Sequence, residues 1–112
     1  MNDSLERVEV LLRRYGHTYH ANLAMAAHEA WKRNPDQALM QLTSEEWWGD
    51  TDSVAAVDLA IEGGFSPQAR RDAASLREAL VDLAQGMADR GVRDPTAGIV
   101  AAQLRKWLAS GI

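Results

Sequence analysis

The sequence predicts an all-α fold, a single compact bundle of five or six helices with one long helix near residues 67–90. Three observations lead there. No segment of strand length combines β-branched residues with period-two alternation. Apolar residues instead recur at three- and four-residue spacing along most of the chain. Between those runs stand capping residues, prolines at first helical positions and closing glycines. With 112 residues, 46% of them hydrophobic and 25% charged, the chain suits one domain over 1–112 and has no room for two independent cores. A helical domain of this size buries about two-thirds of its unfolded surface, so it needs neither metal nor disulfide to fold.

Asp3-Ser4 is placed to cap a first helix whose apolar positions are Leu5, Val8, Leu11, Leu12 and Tyr15, and Gly16 ends it. A second helix over about 18–33 puts Tyr19, Leu23, Ala26, Ala27, Ala30 and Trp31 on one side, its alanines permitting close helix approach. Asn34-Pro35-Asp36-Gln37 reads as a stop and restart, with Asn34 as N-cap, Pro35 at the first helical position and Gln37 reaching back in a capping box. The short third helix carries Ala38, Leu39 and Leu42 and yields near Thr43 to Glu46, where another helical turn can open.

The stretch from Trp47 to Ser53 is the least regular, because Gly, Asp, Ser and Thr favour turns and caps. One of Thr51, Asp52 and Ser53 should cap a fourth helix through Val54, Val57 and Ile61, which Gly63-Gly64 ends. Ser66-Pro67 opens the longest helix, whose stripe Ala69, Ala73, Leu76, Leu80, Leu83 and Met87 alternates steps of four and three before Gly91 closes it. Asp94-Pro95 repeats the cap-and-proline start, and the last helix offers Ala97, Val100, Leu104, Trp107 and Leu108 before Gly111.

Composition narrows the function. The absence of cysteine excludes a disulfide framework, a thiolate nucleophile and a zinc ribbon. No apolar run approaches the length of a membrane span and Met1 to Glu9 lacks the regions of a signal peptide, so the expected location is the cytoplasm. The net charge of −4 is unevenly spread: between Asn34 and Ala69 there is no Lys or Arg, while Asp36, Glu45, Glu46, Asp50, Asp52, Asp58 and Glu62 all fall there. A nucleic-acid backbone is therefore not an expected partner. Two readings of the segregation stay open: flanking bases offset the acidic middle within the molecule, or the acids form a surface that meets a basic partner.

Sites of chemistry are sparse. His20 and His28 could share a helical face, yet a metal needs further ligands, and neither HExxH nor ExxH spacing occurs; no metal or cofactor is expected. Glu45-Glu46 lacks the following acids that would aim carboxylates at magnesium, and there is no GxSxG elbow or Walker-type loop. The enzyme alternative is thus a small helical catalyst or metal binder using His20 or His28 with Asp50, Asp52 or Asp58.

Glu45-Glu46-Trp47-Trp48-Gly49-Asp50 is the informative segment. Adjacent side chains on a helical turn diverge by about 100°, so the two indoles do not easily enter one core. Either both rings pack at the end of the bundle, or one anchors the core while the other lies near the surface, an apolar anchor ringed by carboxylates.

Trp48-Gly49-Asp50-Thr51-Asp52-Ser53-Val54, then Asp58-Leu59 and Gly63-Gly64-Phe65, together with Leu11-Leu12-Arg13-Arg14-Tyr15-Gly16 and Tyr19-His20-Ala21-Asn22-Leu23, resembles small all-helical bacterial proteins of uncharacterised function. Those carry an aromatic-Gly-x-x-x-Ser turn at their midpoint, and the resemblance spans about the first two-thirds of the chain; Asp50 and Asp52 depart from the small residues expected in the turn. Such proteins are sometimes met beside secreted toxins, so the resemblance implies an immunity role and transfers no catalytic residue. The expected function is a protein-binding module, in its specific form an immunity protein that covers a basic toxin surface. Its partner-binding residues would be Glu45, Glu46, Trp47, Trp48, Asp50 and Asp52. A homodimer that buries an exposed Trp against its twofold mate is a further alternative.

Overall fold

Residues 1–49, 52–57, 59 and 66–110 are described by the computed structural model. They form α1 (Asn2–Arg14), α2 (Thr18–Arg33), α3 (Pro35–Leu42), α4 (Glu45–Trp48), a single 3₁₀ turn (Val54–Ala56), α5 (Pro67–Asp89) and α6 (Pro95–Ser110), with no strand among the described residues. The all-α bundle expected from periodicity is what forms.

Local chemistry sets most boundaries. Gly16 and Gly91 both adopt positive φ, at 80° and 78°. At each, the glycine and the residue after it return their N–H groups to the closing turn: His17 N–H bonds the Leu12 carbonyl and Val92 N–H the Met87 carbonyl, both at 2.9 Å. Ser66 Oγ accepts from Ala69 N–H, and Asp94 Oδ1 from Thr96 and Ala97 N–H, so both cap-and-proline starts hold. Asn34 Oδ1 likewise accepts from Asp36 N–H. The capping box does not form as expected, because Asn34 N–H already closes α2 on the Ala30 carbonyl at 2.6 Å and leaves Gln37 nothing to receive. Nor do Asp3 and Ser4 cap α1, which starts one turn earlier behind Met1. Val54 opens only a 3₁₀ turn in place of the expected fourth helix, with Ser53 at its N-cap and no side-chain cap bond. Thr51, Ile61, Gly63 and Gly64 lie outside the described residues, as does Gly111.

The three-residue connection at Tyr15 to His17 folds α1 and α2 into a hairpin. α1 also packs on α5, α2 on α3 and α5 on α6. Leu5, Val8 and Leu12 meet Leu76, Leu80, Leu83 and Met87 of the α5 stripe in one core, joined by Leu42, Trp47 and Leu104. α2 turns a different face inward from the one expected. Ala21, Ala24, Ala27 and Ala30 are buried with His28, while Tyr19 and Ala26 are exposed. A face of alanines lets the α2 backbone approach α1, and the larger side chains are pushed to the flanks.

One polar contact crosses the core. Asp72 of α5 is buried and accepts from Tyr15 Oη at 2.6 Å, Gln68 Nε2 at 3.0 Å and Arg14 Nη1 at 3.1 Å. The Tyr15 hydrogen bond, helped by Arg14 and Gln68 and opposed by burial, holds the Asp72 carboxyl below the usual carboxylate range. The same bond, with burial, pushes the Tyr15 phenol up. This network fastens the end of α1 to the start of α5.

Candidate functional site

α4 is a single turn between the α3 terminus and the 3₁₀ turn. Ser44 is extended, at φ −74° and ψ 153°, and Trp47 N–H bonds its carbonyl, which starts the turn. Four consecutive side chains then radiate around α4. Glu45 and Glu46 face solvent, whereas Trp47 and Trp48 are 1% and 3% exposed. Of the two readings of the indole pair, the packed one is found, and neither ring is free to anchor a partner.

The physical reason is that α4 has protein on two sides. Trp47 and Trp48 both join the main core; Trp48 also lines the groove beside the 3₁₀ turn and α6 with Val100 and Leu104, and donates its Nε1–H to the Leu42 carbonyl at 2.7 Å. The ring centroids stay 6.4 Å apart and tilted by 38°. Despite the divergence of about 100° per residue, both rings are accommodated in one core at this end of the bundle.

The exposed aromatic at this edge is Tyr19, at the start of α2, 63% exposed. Its hydroxyl donates to the Glu46 carboxylate, and its ring stands edge-on to His20 at 5.4 Å between centroids. His20 Nε2 bonds the Asp52 backbone carbonyl at 2.6 Å; a carbonyl only accepts, so that nitrogen carries the proton. His17 stands edge-on to His20 at 6.3 Å. Tyr19, Glu45, Glu46 and Asp52 are all exposed, and the Glu46 carboxylate and the Asp52 backbone meet the Tyr19–His20 pair. Asp50 lies outside the described residues.

The ion pairs among the described residues, Arg13–Glu9, Arg14–Asp72 and Lys32–Glu29, engage none of these acids. The acidic edge is thus not neutralised by the basic flanks in those pairs. Residues of the enzyme alternative do not converge in the described structure: His20 meets the Asp52 carbonyl and not its carboxylate, and His28 Nε2 pairs with Asn2 Oδ1 at 2.6 Å. No three described His, Asp or Glu residues are grouped to hold a metal ion. Asp58 is outside the described residues. No helix among the described residues is long and apolar enough to cross a membrane.

Glu46 raises the Tyr19 phenol above its ordinary value, first by accepting its hydrogen bond and second by its charge. Glu46→Gln is expected to bring Tyr19 ionisation back toward that of a free tyrosine, followed by NMR of the labelled ring. An unchanged Tyr19 midpoint would show that the bond does not persist in solution.

Beside this edge runs an apolar groove of about 580 Å³ between α4, the 3₁₀ turn and α6, lined by Trp48, Gly49, Ser53, Ile99, Gln103 and Trp107 among others. Trp107 also borders a second hollow of about 450 Å³ toward α5, where the Arg77 guanidinium lies over its ring at 5.4 Å. Sequence periodicity had placed Trp107 in the core, yet it is 38% exposed and forms a wall. Tyr19 was assigned inward for the same reason, and only its polar, acid-rich spatial neighbours mark it as a surface residue.

Comparison of the chain with family models, with curated proteins and with solved structures finds no match, so the likeness to small helical bacterial proteins rests on its short motifs alone.

Proposed function

We propose that this protein is a cytoplasmic binding module for a basic protein, which it engages through Tyr19, Glu45, Glu46 and Asp52, in the way an immunity protein covers a basic toxin surface. The observation that supports this reading is the Tyr19 ring, exposed but fixed by Glu46 and His20 among carboxylates that no described ion pair neutralises. An aromatic already held in place loses little conformational freedom on binding. Its ring supplies apolar contact area and its rim of acids attracts Lys and Arg, raising the rate of encounter. Trp47 and Trp48 act from beneath, by holding α4 so that Glu46 reaches Tyr19.

The experiment is capture from the native host with wild-type protein and with a Tyr19→Ala, Glu46→Lys double variant as baits. A basic protein should be retained by the wild type and lost by the variant, both folded by circular dichroism. Its association rate with the purified wild type should fall about tenfold or more as salt is raised. Equal capture by the two baits, or an association rate indifferent to salt, rejects this edge as the binding site.

A further inference from the structure

We propose that His20 is the positioning residue of the acidic edge: its Nε2–H holds the Asp52 backbone while its ring backs Tyr19, so one side chain sets both the aromatic and the segment that carries Asp52. This role rests on the acidic-edge reading and deepens it, by naming the residue that keeps the parts of the edge together.

Glu46 and Asp52 belong to different segments, Glu46 to α4 and Asp52 to the residues just ahead of the 3₁₀ turn. Among the described residues α2 packs broadly on α1 and α3 and not on that turn. The 2.6 Å bond from His20 Nε2 to the Asp52 carbonyl is therefore a point fastening between residues 32 apart in the chain. It falls at a position where fastening matters. Asp52 is exposed, whereas Ser53 and Val54 directly after it are buried. With the buried residues on one side and the His20 bond on its own carbonyl, the backbone that bears the exposed carboxylate is held.

The ring does a second job. His20 meets Tyr19 with the two planes at 89°, the arrangement in which the positive edge of one ring faces the negative face of the other. Tyr19 in turn donates to the Glu46 carboxylate. Two consecutive residues at the start of α2 thus reach both segments, Tyr19 to α4 and His20 to the backbone ahead of the 3₁₀ turn. Side chains ordered before a partner arrives lose less freedom on binding.

Donor and ring are separable by substitution. His20→Gln keeps an N–H donor and removes the ring, His20→Phe keeps a ring and removes the donor, and His20→Ala removes both. In isotope-labelled protein, the Asp52 carbonyl carbon reads the hydrogen bond, and nuclear Overhauser effects between the Tyr19 ring and the Glu46 side chain read the aromatic. The Asp52 carbonyl signal is expected to stay near its wild-type position in His20→Gln and to shift in His20→Phe and His20→Ala. The Tyr19–Glu46 effects are expected to persist in His20→Phe and to be lost in His20→Gln and His20→Ala. A residue that merely packs would move both signals together in every variant. That result, or an Asp52 carbonyl indifferent to His20→Ala, overturns the proposal; if His20→Ala loses helical circular dichroism, the contrast between Gln and Phe decides alone. Affinity for the basic protein captured by the wild type should fall about tenfold in His20→Ala and less in the other two. The two spectroscopic signals need no partner. If they separate as expected and no basic protein is captured, the acidic-edge reading falls and the placement by His20 stands; if capture survives and they do not separate, the reverse holds.

Discussion

Trp47→Ala is expected to cost about 3–5 kcal/mol of folding stability, the range for removing a large aromatic from a packed core. Trp47 is the largest of the fully buried side chains. α4 has four residues and cannot persist on its own, because a helix that short does not recover the cost of its nucleus. Its position depends on the two indoles, of which Trp48 has the Leu42 carbonyl as a second fastening while Trp47 relies on packing. Total stability of a domain this size is about 5–15 kcal/mol, so the variant should lose a third or more of it and melt at least about 10 °C lower. Glu45→Ala, exposed on the same turn, should stay within about 0.5 kcal/mol of wild type and serves as the control. A Trp47→Ala protein that melts alongside the Glu45→Ala control would mean that the ring is not buried in solution. The same variant should uncouple Tyr19 from Glu46, returning the phenol toward its ordinary ionisation before the protein unfolds.

How far the sequence discloses this arrangement depends on whether a feature is local. Gly16, Gly91, Ser66-Pro67 and Asp94-Pro95 each act within about a turn of themselves, and each does what its chemistry predicts. The inward face of α2 is different, because alanines at 21, 24, 26, 27 and 30 surround much of the helix and periodicity does not choose among them. Contact with α1 chooses, and Tyr19 is turned out as a result. From sequence alone the indole pair fits either a packed or a half-exposed arrangement; the packed one forms with help from α6, which arrives from more than forty residues further along the chain. Asp72 did carry a readable signal. It follows Arg70 and Arg71 in the sequence, yet falls three residues after Ala69 and four before Leu76, on the buried stripe of α5. The groove had none, since it depends on how the 3₁₀ turn and α6 lie against each other.

Asp72→Asn is expected to destabilise the protein by about 2–3 kcal/mol at neutral pH and to flatten its acid limb. The carboxylate accepts three hydrogen bonds, and those to a charged acceptor are each worth about 1.5–3 kcal/mol when removed. The loss stays below the several kcal/mol of a fully buried ion pair, because the Arg14 side chain is 52% exposed and can return its charge to water. An amide of the same shape keeps part of the packing and one acceptor. The sign with pH follows from the direction of the shift. Asp72 ionises at lower pH folded than unfolded, so its contribution is complete above the unfolded carboxyl value near pH 4 and disappears as pH falls through the lower folded value. Tyr15 runs the other way: its raised phenol contributes below the unfolded value near pH 10 and its share is lost above it. Urea midpoints measured across the acid range for wild type and Asp72→Asn should therefore converge as pH falls, because the wild type alone loses this contribution. Profiles that remain parallel down to the lowest pH would mean that Asp72 is solvated, and that α1 and α5 are held together by their apolar stripe without it.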